Sequence, residues 1–319
     1  MKKWRLGVGI IVLLGVLGAY FYRPTPTPEV GYYYWKQHVI LSPSNPPQLL
    51  YIKCLDVEFD HDLYLHPTVF DSPPPHPFVP VIYLENQVFD HIPPPLLAQR
   101  LGDELRVLQR KYGFDYHEIQ LDCDWTMGTR KHYFALIHEL KKQFPVKFSA
   151  TIRLHQIADF DHTGVPPVDR GVLMYYNMSD FSDPETKNAI LDSGVARTYT
   201  RNFDRYPLGL DIALPLYSQA TIIRFGSVVG LIEGITAHDV TPHFIPLGNH
   251  RYRINATHYF HGRLLYCDDV VRMDEVTPAM LKQALEDLKH LKGVEKILFF
   301  RWENRTRYGE KNLQKLVEG

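Results

Sequence analysis

Eight apolar, strand-length runs, separated by turn residues and helical patterns, leave few folds open to this chain of 319 residues. They are GYYYWKQHVIL from Gly31, LLYIKCLDV from Leu49, VPVIYLENQVF from Val79, EIQLDCDWT from Glu118, VKFSATIRL from Val146, GVLMYYNM from Gly171, LGLDIALPLY from Leu208 and EKILFFRWE from Glu295. Between them, apolar residues recur at three- and four-residue spacing over 94–113, 130–144, 183–194 and 277–293, the periodicity of amphipathic helices. Strands alternating with helices predict a parallel sheet closed on itself, an α/β fold of the (β/α)8 TIM-barrel type. An open doubly wound sheet is the alternative, but it calls for a Gly-rich phosphate turn after an early strand, and the sequence has none.

Two stretches depart from the pattern. Residues 39–49 and 58–79 are Pro-rich and carry no helical periodicity, so the first quarter of the barrel is expected to be irregular and covered by loops. Residues 242–275 alternate polar and apolar side chains around LGNH and FHGR, as hairpins do. They predict a β-rich insertion between strands seven and eight.

Ahead of the barrel, MKKWR is followed by Leu6–Tyr22, 17 positions without a charge. As a helix these would span about 26 Å at about 1.5 Å per residue, enough for a hydrocarbon core. Residues 1–23 are therefore expected to anchor the chain in a membrane, with Lys2, Lys3 and Arg5 held in the cytoplasm. The alternative is a cleaved secretory signal, although a site after Ala19 would place Leu17 where a small residue is preferred. Pro and Thr alternate over 24–30, a stiff spacer, and the barrel is expected over 31–319, outside the membrane, in the periplasm or at the cell surface.

The balance of 35 basic against 36 acidic residues gives a net charge of -1, which does not point to nucleic acid. Cys54, Cys123 and Cys267 have no metal or redox spacing, and the first two read as small buried hydrophobes. The densest histidine group, DHDLYLHP at 60–67, lacks the pairing of a zinc helix. No phosphate loop or nucleophile elbow is present. No metal or cofactor is expected.

The fourth run carries the chemistry. Residues two apart on a strand share a face, so Gln120, Asp122 and Asp124 point one way and Leu121, Cys123 and Trp125 the other. The apolar set suits the helices, which sends the carboxylates into the barrel near the C-terminal end of the strand, where this fold keeps its chemistry. A structural alternative is a salt-bridged pair inside the barrel, held by Arg153 or Arg301. Asp56 and Glu58 end strand two, Trp35 could stack on a sugar, and Tyr217, Ser218 and Gln219 close strand seven with groups that could bind hydroxyls.

IQLDCDWT resembles the fourth-strand signature of glycosyl hydrolase family 18, the chitinase-like barrels, in which Asp-Gly-Ile-Asp-Ile-Asp-Trp-Glu is the pattern. Asp122, Asp124 and Trp125 match its last two aspartates and its tryptophan. LMYYN is similar to the family's sixth-strand motif and implies Met174, Tyr176 and Asn177 beside a reacting sugar. FFRWE falls where the family's last strand supplies a floor tryptophan, which implies Trp302. The chain also resembles an uncharacterised bacterial barrel family related to these hydrolases. One departure matters: the family's catalytic Glu is replaced by Thr126, and its first Asp by Ile119. A threonine hydroxyl cannot protonate a leaving glycosidic oxygen, so an acid would have to be Asp124 or a carboxylate from another strand, Glu303 first.

Taken with the expected N-terminal anchor, the resemblance implies a membrane-tethered glycoside hydrolase acting on an extracytoplasmic polysaccharide or cell-wall glycan, with Asp122, Asp124 and Glu303 as candidate catalytic groups. The alternatives are a degenerate barrel that binds glycan without cleaving it, and a non-enzymatic anchored scaffold.

Overall fold

The computed structural model describes residues 27–41, 49–74 and 77–318. The expected anchor at 1–23 and the start of the spacer lie outside the described residues. Among the described residues no helix is long and apolar enough to cross a membrane.

All eight expected runs form barrel strands: β1 (Glu29–Tyr34), β2 (Leu50–Asp60), β3 (Val79–Leu84), β4 (Glu118–Cys123), β5 (Lys147–Arg153), β6 (Arg170–Met174), β7 (Leu210–Pro215) and β8 (Lys296–Phe300). Each pairs in parallel with the next, and β1 pairs with both β2 and β8, which closes the sheet. Closure begins at Glu29 rather than Gly31 because the Glu29 N–H bonds to Glu295 O.

The interior is layered and polar. At the bottom, Lys296 Nζ donates to Glu118 Oε2 and to the Tyr51 hydroxyl, 2.8 Å in each case. Above it, the Tyr33 hydroxyl donates to Gln120 Oε1 at 2.7 Å, and Gln120 Nε2 reaches Ser149 Oγ. The next inward side chains up β4 and β5 are Asp122 and Thr151. The sequence alternation thus places the chemistry by stacking satisfied polar layers beneath it.

Helices cover the outer face. In α1 (Pro94–Tyr112), proline sets the first turn and Gly113, at φ 64°, ends the helix in the left-handed region. Leu97, Leu101, Leu105 and Leu108 form its buried stripe. The stripe of α2 (Arg130–Gln143) is Tyr133, Leu136, Ile137 and Leu140. The short α3 (Leu154–Ala158) follows β5 directly, and α4 (Ser193–Tyr199) precedes β7. Before β8 comes α5 (Pro278–Asp287), capped by the Thr277 hydroxyl.

Three expectations are corrected. Residues 183–192 are a loop, because Asp180, Asp183 and Asn188 turn their side chains onto the backbone N–H groups of Ser182, Glu185 and Ile190. Such bonds compete with a helix. In the first quarter, β2 runs past the barrel and returns as an antiparallel strand, Asp62–Pro67, so 58–67 is a hairpin rather than a covering loop. The insertion starts at Gln219 rather than 242. Its five antiparallel strands lie in the order Ser227–Glu233, Gln219–Arg224, Val270–Asp274, Arg251–Ile254 and Phe244–Gly248. Phe225 and Gly226 turn the first hairpin with φ of 50° and 78°, the backbone a two-residue hairpin needs.

Arginines fasten this insertion to the barrel. Arg272, fully buried with Asp274, donates to the main-chain oxygens of Phe181 and Asp183. Arg251 reaches the main-chain oxygens of Pro184 and Thr186. Across the rim, Arg301 holds both carboxylate oxygens of Glu233 at 3.1 and 3.2 Å.

Candidate active site

Asp122 lies inside the barrel, 4% exposed, and accepts a 2.6 Å hydrogen bond from Thr151 Oγ1. Arg153 Nη2 stands 3.5 Å from the same oxygen. Burial works against the Arg153 charge, but Asp122, Tyr176 and Asp124 around it raise its pKa above the ordinary guanidinium value. Of the two partners considered from sequence, Arg153 holds Asp122 and Arg301 does not. The outward set behaves as expected: Trp125 is buried and stacks on Tyr133 of α2 with centroids 5.1 Å apart.

Asp124 is placed differently. It stands beyond the end of β4 with 57% of its side chain exposed. Gln156 Nε2 is 3.4 Å from its Oδ1 and His155 Nε2 is 3.5 Å from the same atom. Asp124 and Arg153 together divide the mouth into two hollows. One, of about 250 Å³, is shared with His155, Tyr176, Asn177, Met178 and Tyr199. The other, of about 550 Å³, is shared with Tyr83 and the Leu84–Gln87 turn. A larger hollow of about 750 Å³ between the 187–192 loop, the start of α4 and α5 is lined by no Trp, Tyr or Phe and by none of the constellation.

The aromatic floor is built on Phe300. Its ring stacks on Tyr176 at 5.5 Å and meets Trp35 and Tyr217 edge-on at 5.7 and 5.8 Å. The Tyr176 hydroxyl donates to Met174 Sδ at 3.3 Å, and burial pushes that phenol far above its ordinary range. Asn177 takes a left-handed φ of 54°, which asparagine tolerates, and accepts the Tyr217 hydroxyl. Trp35 also meets the edge of Tyr83 at 6.4 Å, and Lys53 Nζ lies 5.6 Å above its ring. Asp56 sits level with Tyr83 and is held by Lys53 at 2.7 Å.

The structure thus brings Asp122, Asp124, Arg153, Met174, Tyr176, Asn177, Tyr217, Trp35 and Asp56 to one mouth. Three expected members are set apart. Trp302 packs edge-on to Tyr32, on the outward side of β1, with Arg305 over its ring. Glu303 lies in the same helical turn, 4.0 Å from Lys36, and makes no hydrogen bond or ion pair to Asp122 or Asp124. Gln219 opens the insertion and donates to Asp274. Sequence reasoning missed Phe300, Tyr83 and His155. Strand parity could have found the first two, since Tyr83 pairs with Asp122 and Phe300 with Tyr33.

Thr126 is occupied elsewhere. Its N–H donates to Thr129 Oγ1 at 3.0 Å, its hydroxyl receives the Thr129 N–H at 3.4 Å, and its carbonyl accepts the Arg130 N–H. The position resembling the family acid is therefore tied into the turn that leads to α2, whose N-cap is Thr129.

No protein-family profile matches the chain, and no curated protein does. Solved structures match its fold. The chain superposes on the multi-modular, cell-surface-expressed chitinase ChiW of a Paenibacillus species with TM-score 0.56 and 10% identity, over 92% of this chain and 33% of that one. It therefore spans about a third of that enzyme. The spore cortex-lytic enzyme SleL of Bacillus megaterium gives 0.55 and 12%, over 88% and 72%. A GH18 chitinase from Cycas revoluta, solved with (GlcNAc)4, gives 0.56 and 12%, over 90% and 98%. The fold is that of a divergent GH18-like TIM barrel.

Proposed function

We propose that the chain binds an N-acetylated glycan at the barrel mouth, on the extracytoplasmic side of a membrane to which residues 1–23 tether it. One observation carries this reading: the exposed Asp124 carboxylate stands between two hollows, one of them walled by Tyr176 stacked on Phe300. Sugars are bound by aromatic faces together with a few fixed polar groups. Arg153, Asn177 and Tyr217 supply such groups here. The (GlcNAc)4 complex of the Cycas barrel and the cortex-lytic activity named for SleL support a glycan of the chitin or cell-wall type. The tether rests on the basic N-terminus and the uncharged stretch behind it.

The test is incubation of the protein with chitin oligosaccharides, peptidoglycan and neutral storage glycans. Retention on the N-acetylated glycans alone supports the reading, release of reducing ends adds cleavage to it, and indifference to every glycan removes it. Membrane fractionation of the full-length chain checks the tether.

A further inference from the structure

Resting on that reading, we propose that His155 is the proton donor of a glycoside hydrolase site at this mouth, working as a pair with Asp124. Thr126 has no acid to give and is bonded to Thr129 in the turn ahead of α2. Glu303 is set apart beside Lys36. Asp122 is buried under Thr151 and Arg153. Around the smaller hollow, Tyr176 is held protonated by burial, and Arg153 by its carboxylate neighbours. Among the side chains bordering that hollow, His155 carries the one imidazole, a ring that can both give and take a proton.

The geometry fits the role. His155 opens the first turn of α3 immediately after β5, so a rigid strand end delivers it to the mouth. Its Nε2 lies 3.5 Å from Asp124 Oδ1, and its side chain is 55% exposed, open to a ligand on its other side. Gln156 Nε2 holds the same Asp124 oxygen at 3.4 Å. Among the described residues Oδ2 of Asp124 has no hydrogen bond, which leaves it for the N–H of an acetamido group.

The step balances as follows. The acetamido oxygen of the bound sugar forms a bond to its own anomeric carbon as the bond from that carbon to the bridging oxygen breaks. The departing oxygen keeps the electron pair and takes the proton from the His155 imidazolium. Water then adds to the anomeric carbon of the cyclic ion, reopens the ring and returns its proton to the neutral imidazole. Asp124 stabilises the positive charge on both sides of the exchange.

The experiment compares two probes on the full-length protein, chitotetraose and 4-nitrophenyl chitobioside. The aryl group leaves as a stable phenolate and needs no donated proton; the sugar alcohol does. His155→Gln should lower chitotetraose turnover by about 10²–10⁴-fold, the worth of positioned acid catalysis, and change the first-turnover release of nitrophenolate little, because the aryl group leaves before water and the imidazole act. Calorimetric titration should show that chitotetraose still binds, and an unchanged melting temperature would confirm the fold. An equal loss of chitotetraose turnover and of first-turnover nitrophenolate release would overturn the proposal, as would a selective loss that follows instead from Glu85→Gln, at the carboxylate of the turn bordering the larger of the two mouth hollows. So would a wild-type protein that binds chitotetraose and cleaves neither probe, an outcome that leaves the binding reading standing. A wild-type protein that neither binds nor cleaves removes both.

Discussion

Phe300 lies nearly flat against Tyr176, with ring centroids 5.5 Å apart and planes 13° from parallel, whereas Trp302 turns to the opposite side of the sheet against Tyr32. The two positions should therefore respond differently. Phe300→Ala should weaken chitotetraose binding by about 0.5–1.5 kcal/mol, up to about tenfold in Kd, as the stack beneath the sugar is lost. Trp302→Ala should instead cost about 3–5 kcal/mol of stability, the usual range for a buried aromatic, and leave the affinity of the folded fraction intact. Calorimetric titration beside urea unfolding separates the two.

The paired aspartates should also divide. Asp122→Ala strands Arg153 in the barrel and is expected to cost about 3 kcal/mol, the low end for breaking a buried pair because Arg153 keeps 24% exposure. Asp124→Ala, at an exposed position, should change stability by no more than about 0.5 kcal/mol while abolishing glycan binding. Urea midpoints in the reverse order would contradict this assignment.

Thr126→Ala removes a hydroxyl from the start of α2 and nothing from either hollow. A loss of about 1 kcal/mol in stability is expected, with glycan affinity and any turnover unchanged. Turnover that collapses with this substitution would restore residue 126 to the chemistry.

Alkali should unfold the protein through its tyrosines. Burial raises the phenols of Tyr33, Tyr51, Tyr176 and Tyr217 above the ordinary 10.0, and Tyr32 is pushed up to about 12, chiefly by burial. The folded chain keeps protons that the unfolded chain releases, so stability falls as pH rises. The contribution is complete below pH 10 and drains away as the pH climbs from there through 12 and beyond. Absorbance at the phenolate band should rise first for exposed tyrosines, then abruptly with loss of the native circular dichroism.

The barrel was legible because each strand run is long, apolar and bounded by turn residues, signals that survive without tertiary context. The floor was not. FFRWE reads as one strand in which Phe300 and Trp302 share a face, but β8 stops at Phe300 and a helical turn begins at Trp302, which resets the parity. The absent helix at 183–192 failed for another reason: its apolar spacing is correct, and three Asp and Asn side chains capture the backbone first. His155 carried no local signal. Its meaning arises only when β4 and β5 lie side by side.

The grip on the 181–186 loop is made to main-chain oxygens: Arg272 takes those of Phe181 and Asp183, and Arg251 those of Pro184 and Thr186. A carbonyl is present whatever the side chain. The loop can therefore change most of its residues over evolutionary time without loosening the joint, while either arginine is nearly irreplaceable. Variation in relatives should gather on the held segment and spare the two residues that hold it.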